Sequence, residues 1–264
     1  SSARMERMVA GPMKLVARKD LAGAGRLFEA DLARARAKGG LGVGDLLTAY
    51  GVQLRAAEHE KASIPYFRRA VDAYRAAAPD SPEVALALAD YARVLAAESP
   101  DNPAPAALSA LREALAIRET TLGRRNAETA MNHVHLGGLE GLPVHTGRDP
   151  VRVAAAAERI QTGIRLLPDA PNADPGDIHV ARLALAEHYA RNGDVPAAFK
   201  ASGEYLAANP NFGPYQLRKV AVIFEKAGDT ATGLRLRETY AIPNEDEDEE
   251  DEEPTIENAG KLPN

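Results

Sequence analysis

The sequence has no cysteine and no tryptophan among its 264 residues, and aromatic residues make up only 5% of it. The absence of cysteine excludes disulfides, zinc ribbons and thiol catalysis. Runs in which β-branched residues alternate with polar ones, the pattern of a half-buried strand, are also missing. Alanine, leucine, arginine and glutamate dominate instead, so the composition predicts an all-α protein whose core is built from small and aliphatic side chains.

Long hydrophobic runs are lacking as well. No apolar stretch approaches the roughly 20 residues that cross a bilayer, so we expect no membrane insertion. Residues 1–8 do not contain the apolar centre of a signal peptide. Because the chain starts with Ser1 rather than methionine, we expect a cleaved leader or a trimmed start. This favours an exported or periplasmic location over a cytoplasmic one, and the composition is compatible with either.

The net charge of −6 comes from one segment. Residues 245–253 are an unbroken block of nine acidic residues, and the rest of the chain carries a net charge of +3. A block of like charges repels itself and stays disordered. Pro243 cannot continue a helix. We therefore predict a folded domain over residues 1–242 and an acidic, disordered tail over residues 243–264.

A repeated helical hairpin organises the folded part. Its clearest copy spans residues 179–210, with Ala186 in a first helix, Ala198 in a second helix, and Gly193 and Asp194 at the turn between them. Two antiparallel helices cross closely only where small side chains meet, so the two alanines mark the crossing. Each hairpin leaves an apolar face that only a neighbouring hairpin can bury. Several copies are therefore expected.

Further copies precede and follow this one, and all of them resemble tetratricopeptide (TPR) repeats in their spacing. The residues that repeat the pattern are Tyr50, Gly51, Leu54, Phe67 and Ala70; Val220, Ala221, Phe224, Gly228 and Asp229; and, in an eroded first copy, Leu15, Asp20, Ala24 and Phe28. The repeated spacing predicts helices near residues 45–57, 83–97, 104–121, 176–192 and 214–227.

Two stretches in the middle of the chain carry a more specific pattern, in which a helix ending in ALAIRE is followed by a leucine-glycine turn. The matching residues are Leu111, Ala114, Leu115, Ile117, Arg118, Glu119, Leu122 and Gly123. This pattern resembles the longer repeats of the kinesin light chain class of TPR proteins, and a weaker resemblance to that class extends over residues 12–241. The resemblance implies a right-handed, superhelical, all-α solenoid of about six antiparallel helix pairs whose concave face binds peptides.

The third and fourth copies depart from the family pattern. Where the family has a small residue after the leucine of the first helix, the fourth copy has His135 after Val134. We expect a broken helix in the fourth copy and longer loops in both. The residues responsible are Gly137, Gly138, Gly141 and Pro143 in the fourth copy and Pro100, Asn102, Pro103 and Pro105 in the third.

Histidine and glycine clusters are the features that could suggest catalysis. The histidines are His133, His135 and His145, with Asp149 nearby. His133 and His135 point about 200° apart on a helix, unlike an i,i+4 pair of metal ligands. The glycine-rich run 39–44 has no preceding strand and no lysine-serine ending, which excludes a dinucleotide or phosphate loop. We therefore predict packing or surface histidines, no cofactor and no bound metal.

The concave face supplies the candidate binding residues. In the kinesin light chain class the first helices line the inner surface, and ligand-facing side chains stand beside the small packing positions. Asn132 is the leading candidate because asparagine can offer a ligand backbone both a donor and an acceptor. The alternative for each position is an ordinary solvated side chain. The residues that the pattern selects are Thr48, Arg55, Asp90, Arg93, Asn132, His133, Glu187, Arg191, Arg218 and Lys219.

The sequence thus predicts a scaffold or adaptor that binds a peptide or a partner protein in its groove. One alternative is a structural array that assembles through its convex face or its ends. The other is an enzyme that uses the region from His133 to Asp149. The small positive excess of the body, without a basic helix interleaved with aromatics, argues against nucleic-acid binding. The partner's identity and the oligomeric state stay open.

Overall fold

Fourteen α-helices build the part of the chain, residues 2–244, that the computed structural model describes. No strand occurs within those residues, and none of their helices has both the length and the apolar character needed to cross a membrane. The acidic block 245–253 and the rest of the expected tail after Asn244 lie outside the described residues. In chain order the helices are α1 (Ser2–Met8), α2 (Ala10–Ala17), α3 (Leu21–Lys38), α4 (Gly42–Ala56), α5 (Glu60–Ala77), α6 (Pro82–Glu98), α7 (Pro105–Thr121), α8 (Ala127–Glu140), α9 (Pro143–Thr146), α10 (Pro150–Leu166), α11 (Asp177–Arg191), α12 (Val195–Ala208), α13 (Gly213–Lys226) and α14 (Thr230–Tyr240).

The helices pack as successive hairpins, each against the next. The pairs are α2 with α3, α4 with α5, α6 with α7, α8 with α10, α11 with α12, and α13 with α14. The five helices predicted from the repeated spacing correspond to α4, α6, α7, α11 and α13, with ends within three residues of those expected. The prediction of an all-α repeat solenoid is therefore confirmed.

One turn recurs in four of the hairpins and explains why they share a geometry. A residue with positive φ follows the first helix. The residue after it immediately precedes the second helix and, in three of the four turns, is an aspartate that caps that helix. Glycine reaches positive φ at least cost, and aspartate accepts a hydrogen bond from a free N–H of the helix start. Two turns use a non-glycine residue, so their repeats are less evident from sequence. The four turns are Lys19 with Asp20, Glu58 with His59, Gly193 with Asp194, and Gly228 with Asp229.

Gly137 is the small residue at the crossing of α8 and α10. A Cβ added there would lie 2.7 Å from Ile160 Cγ1 and 2.9 Å from the Ala156 carbonyl oxygen, so glycine alone permits this approach. Leu136, just before it, is buried. The leucine-small pair of the fourth repeat is therefore Leu136 and Gly137.

The sequence-based alignment of the fourth repeat is wrong by two residues, because it placed Val134 and His135 at this crossing. The expected helix break is also wrong, since α8 continues through Gly137 and Gly138 to Glu140. Glycine in a helix interior costs only about 0.5–1 kcal/mol relative to alanine, and close packing can compensate for it. The connection between α8 and α10 is longer than in the other hairpins, and its residues Pro143–Thr146 form the short helix α9.

Two hydrophobic cores follow one another along the solenoid. The first runs from Val9 to Ile117 and includes Leu136, and the second runs from Ala127 to Ile242. They meet where α7 packs on α8. Buried polar side chains lie at this junction, and the concave side opens beside it.

Candidate functional site: a groove on the first helices

A cavity of about 700 Å³ opens between α6, α8 and α11, and α7 lies at its base. These three helices are the first helices of consecutive hairpins, so the cavity belongs to the surface that the first helices share. Small side chains along α6, at Ala89, Ala92 and Ala96, leave room on one wall. A volume of this size is typical of ligand-binding clefts, which span roughly 300–1,000 Å³.

Charged residues of both signs line the cavity, together with an apolar floor. The cations are Arg93, Arg118 and Arg191, and the carboxylates are Asp90, Glu128, Asp174 and Asp177. The apolar contribution comes mainly from Leu111, Met131, Val134, Leu139, Leu142 and Val180. The groove is therefore not a uniformly basic or acidic surface.

Arg118 is the most deeply placed charge, with only 7% of its side chain exposed. Its Nη1 donates to Asn132 Oδ1 at 3.0 Å, and its Nη2 lies 3.6 Å from a Glu128 carboxylate oxygen. Asn132 Nδ2 donates to the Leu111 carbonyl oxygen at 3.0 Å. Desolvation lowers the pKa of Arg118, although Glu128 and Asp90 oppose the shift. The amide of Asn132 thus joins α7 to α8 below the groove.

Asp90 and His135 have shifted pKa values because the groove walls restrict their contact with water. Desolvation raises the pKa of Asp90, against the attraction of Arg93 and Arg118. Arg93 also donates a hydrogen bond to the Asp90 carboxylate. His135 projects into the cavity with part of its ring exposed, yet desolvation by the walls, followed by repulsion from Arg118, lowers its pKa. The shift favours the neutral imidazole, which can both donate and accept a hydrogen bond.

Three of the residues selected from sequence come together at the cavity: Asp90, Arg93 and Arg191. Glu187 lies one turn before Arg191, and their side chains form an ion pair of 3.3 Å. The remaining selections do not line this cavity. Thr48 is buried in α4 and Arg55 half-buried in the same helix, while on α13 Arg218 is half-buried and Lys219 exposed.

Asn132 and His133 are not available to a ligand, which corrects the expectation for α8. Asn132 is 1% exposed, and its amide is engaged by Arg118 and Leu111. His133 is also buried, with its Nε2 3.3 Å from a Glu119 carboxylate oxygen, and desolvation lowers its pKa. The two-residue error in alignment rotated the expected face by about 200°, which exchanges the groove side of the helix for its packed side.

The groove residues that sequence reasoning missed on α8 are Met131 and His135. The correct leucine-small pair, Leu136 and Gly137, would have placed both of them on the concave face. His145 and Asp149 do not join them. Asp149 instead caps α10, accepting from the backbone N–H groups of Val151 at 3.1 Å and Arg152 at 3.0 Å. Residues 2–244 contain no group of three or more histidines and carboxylates placed to hold a metal ion.

The arrangement of the hairpins defines a TPR-like helical repeat protein. The crystal structure of BtubC (BKLC) from P. vanneervenii is similar to it, with a TM-score of 0.59 and 16% sequence identity over 81% of this chain and 83% of that one. Two crystal structures of a kinesin light chain-like protein of Podosopora anserina, with nearly identical TPR-like repeats, have TM-scores of 0.55 and 0.53. They share 14% and 15% identity with this chain over 74% of its length, covering 91% and 92% of theirs.

No protein-family model matches the chain, and no curated protein matches it. At this level of identity the similarity to solved structures concerns the fold.

Proposed function

We propose that the protein is an adaptor that binds a peptide segment of a partner protein in the groove between α6, α8 and α11. The observation that carries the proposal is the cavity itself. It combines an open volume of about 700 Å³ with apolar walls and with polar groups of both kinds at its edge. Peptide sites require this combination, because apolar pockets supply affinity and a few placed polar groups fix orientation.

The hydrogen-bonded base of the groove supports the same function. Arg118, Asn132 and the Leu111 carbonyl hold α7 against α8, so the groove does not have to form when a ligand arrives. A preformed site loses less conformational entropy on binding than a mobile one. In the region from His133 to Asp149, Asp149 caps α10 and the buried His133 contacts the Glu119 carboxylate, while His135 lines the groove.

Selection from a random-peptide display library on the immobilised protein, followed by fluorescence anisotropy of the enriched peptides, tests the proposal. Arg93→Glu reverses a charge at the groove edge, where 58% of that side chain is exposed, and should weaken binding of the enriched peptides by about tenfold or more. Arg68→Glu makes the same change at an exposed position of α5, a second helix, and should leave binding unchanged. Equal effects of the two substitutions, or no enrichment at all, would contradict a groove that binds peptides.

A further inference from the structure

An apolar row crosses the first helices of four consecutive hairpins. Each member stands six residues before a small, buried residue of its own helix, which places all of them at the same position of the repeat. In chain order these small residues are Ala92, Gly137, Ala186 and Ala221. Three of them are unusually exposed for their type, at 50%, 53% and 48% for Leu86, Val180 and Tyr215. Met131 is partly exposed and lines the cavity together with Val180. We call Leu86, Met131, Val180 and Tyr215 the apolar row.

A row of carboxylates accompanies the apolar row. Glu83, Glu128 and Asp177 each lie three residues before a member of the apolar row, in the first turn of α6, α8 and α11. Residues three apart are neighbours on one face of a helix, so three of the four hairpins present the same acid and apolar pair. In the last hairpin the position of the carboxylate is occupied by Phe212, which lies three residues before Tyr215 and is 70% exposed. This hairpin therefore presents two aromatic side chains in place of the acid and apolar pair.

The spacing of α8, α11 and α13 selects the backbone conformation of a partner segment that contacts Met131, Val180 and Tyr215 of the apolar row. α11 packs directly on both α8 and α13. Helices in contact lie about 8–10 Å apart, and a polyproline II segment brings a side chain back to the same face every three residues, about 9.3 Å. An α-helix does so after seven residues and about 10.5 Å, and a strand after about 7 Å or 13 Å. Polyproline II is the backbone whose period falls within the range.

We infer that the groove binds a polyproline II segment of a partner in which an apolar residue recurs at every third position and is followed within each triplet by lysine or arginine. The apolar side chains contact the apolar row, and the basic ones face the carboxylates of Glu83, Glu128 and Asp177. Glu128 already pairs with Arg118 at 3.6 Å, and Arg93 and Arg191 lie towards the other ends of α6 and α11. The complementarity therefore concerns the helix starts, where the carboxylates make the partner basic on that side. This inference rests on the proposed function and adds the chemistry of the partner to it.

A peptide of three Leu-Pro-Lys triplets, one each for Met131, Val180 and Tyr215, is the direct probe. Its comparison is a peptide of the same composition whose leucines no longer recur at every third position. Because both carry the same charge, any attraction to the acidic block 245–253 affects them equally. Anisotropy titrations of the full chain at about 0.15 M salt should show binding of the triplet peptide about tenfold tighter or more.

Two valine substitutions test whether the triplet peptide binds at the apolar row or at other exposed apolar residues. Val180→Asp should weaken binding of the triplet peptide by about tenfold or more, although it adds a negative charge that attracts lysine. Val151→Asp makes the same change at a valine of α10 that is 77% exposed and lies outside the row, and it should leave the affinity unchanged. Circular dichroism of both variants checks that the helices are retained.

The outcomes distinguish this inference from the proposed function. Equal binding of the triplet and rearranged peptides, equal effects of the two valine substitutions, or tighter binding of a helical peptide with leucines seven apart would each overturn the inference. If peptides from the display library still respond to Arg93→Glu in that case, the groove function stands with a different partner chemistry. If no library peptide binds, both proposals fail.

Discussion

Two adjacent glycines of α8 should respond in opposite directions to replacement by alanine: Gly138→Ala should raise the stability of the protein, and Gly137→Ala should lower it. Gly138→Ala meets no other atom within 4 Å of the new Cβ. It should therefore gain the ordinary preference of alanine over glycine in a helix, about 0.5–1 kcal/mol. Gly137→Ala receives the same backbone benefit but places its Cβ at the crossing with α10.

The cost at Gly137 follows from the atoms that its Cβ would meet. Ile160 Cγ1 at 2.7 Å could rotate, but the Ala156 carbonyl oxygen at 2.9 Å and the Ile160 backbone nitrogen at 3.0 Å cannot move without separating the helices. Overpacking of this kind costs about 1–3 kcal/mol. After the gain in helix preference, Gly137→Ala should be destabilised by about 0–2.5 kcal/mol, and the two variants should differ by about 1–3 kcal/mol.

Urea unfolding followed by circular dichroism measures the difference. The two variants have the same composition and differ only in which of two adjacent residues carries the added methyl group. Their urea midpoints can be compared directly where the slopes of unfolding free energy against urea agree. A Gly137→Ala variant as stable as Gly138→Ala would refute the crossing at Gly137. The assignment of the groove face of α8 would then lose its basis.

Three further predictions concern pH, the α7 and α8 junction and the tail. Desolvation lowers the pKa of His188 and of His133 in the folded state below the value in the unfolded state. Below about pH 6.5 the unfolded state therefore binds more protons than the folded state, and the free energy of unfolding should fall as the pH is lowered. Urea midpoints from pH 7.5 to 5.5 measure this, and His188→Gln should flatten the dependence, whereas stability that rises on acidification would contradict it. Asn132→Leu leaves the buried Arg118 without its amide acceptor and should cost about 1–3 kcal/mol, so an unchanged urea midpoint would mean that the amide contributes nothing. The last hairpin is basic, with Lys219, Lys226 and Arg235, and the tethered acidic block 245–253 should compete there with any acidic peptide. Deleting residues 244–264 should therefore strengthen the binding of an acidic peptide to this hairpin at low salt, with the gain fading as salt is added. Equal affinity with and without these residues at low ionic strength would rule out screening by the tail.

Local rules in the sequence were sufficient for most of the fold. Gly193 with Asp194 and Gly228 with Asp229 mark turns through backbone preferences that act within a few residues. They located the hairpins of α11 and α13, and the structure has both. Lys19 and Glu58 occupy the same turn without that signal, because tertiary packing can hold a non-glycine residue at positive φ.

The groove face of α8 could not be assigned as securely, since it depends on which small residue meets the facing helix. Ala130, Gly137 and Gly138 are all small. Only the contacts with α10 distinguish them: Gly137 lies against Ala156 and Ile160, Ala130 lies against Gly163, and Gly138 meets no atom of another helix. Those contacts join residues far apart in sequence. The pairing of Asn132 with Arg118 is likewise tertiary, and asparagine on its own is equally compatible with a ligand-facing role.

The meeting of two hydrophobic cores at α7 and α8 affects how the molecule responds to force or denaturant. In a solenoid each hairpin is stabilised mainly by its immediate neighbours, so a boundary between two apolar clusters limits how far cooperativity spreads. The groove lies across this junction, with α6 on one side and α8 and α11 on the other. A ligand in the groove would therefore act as a clamp that holds the two halves together, so that unfolding of either half would require its release.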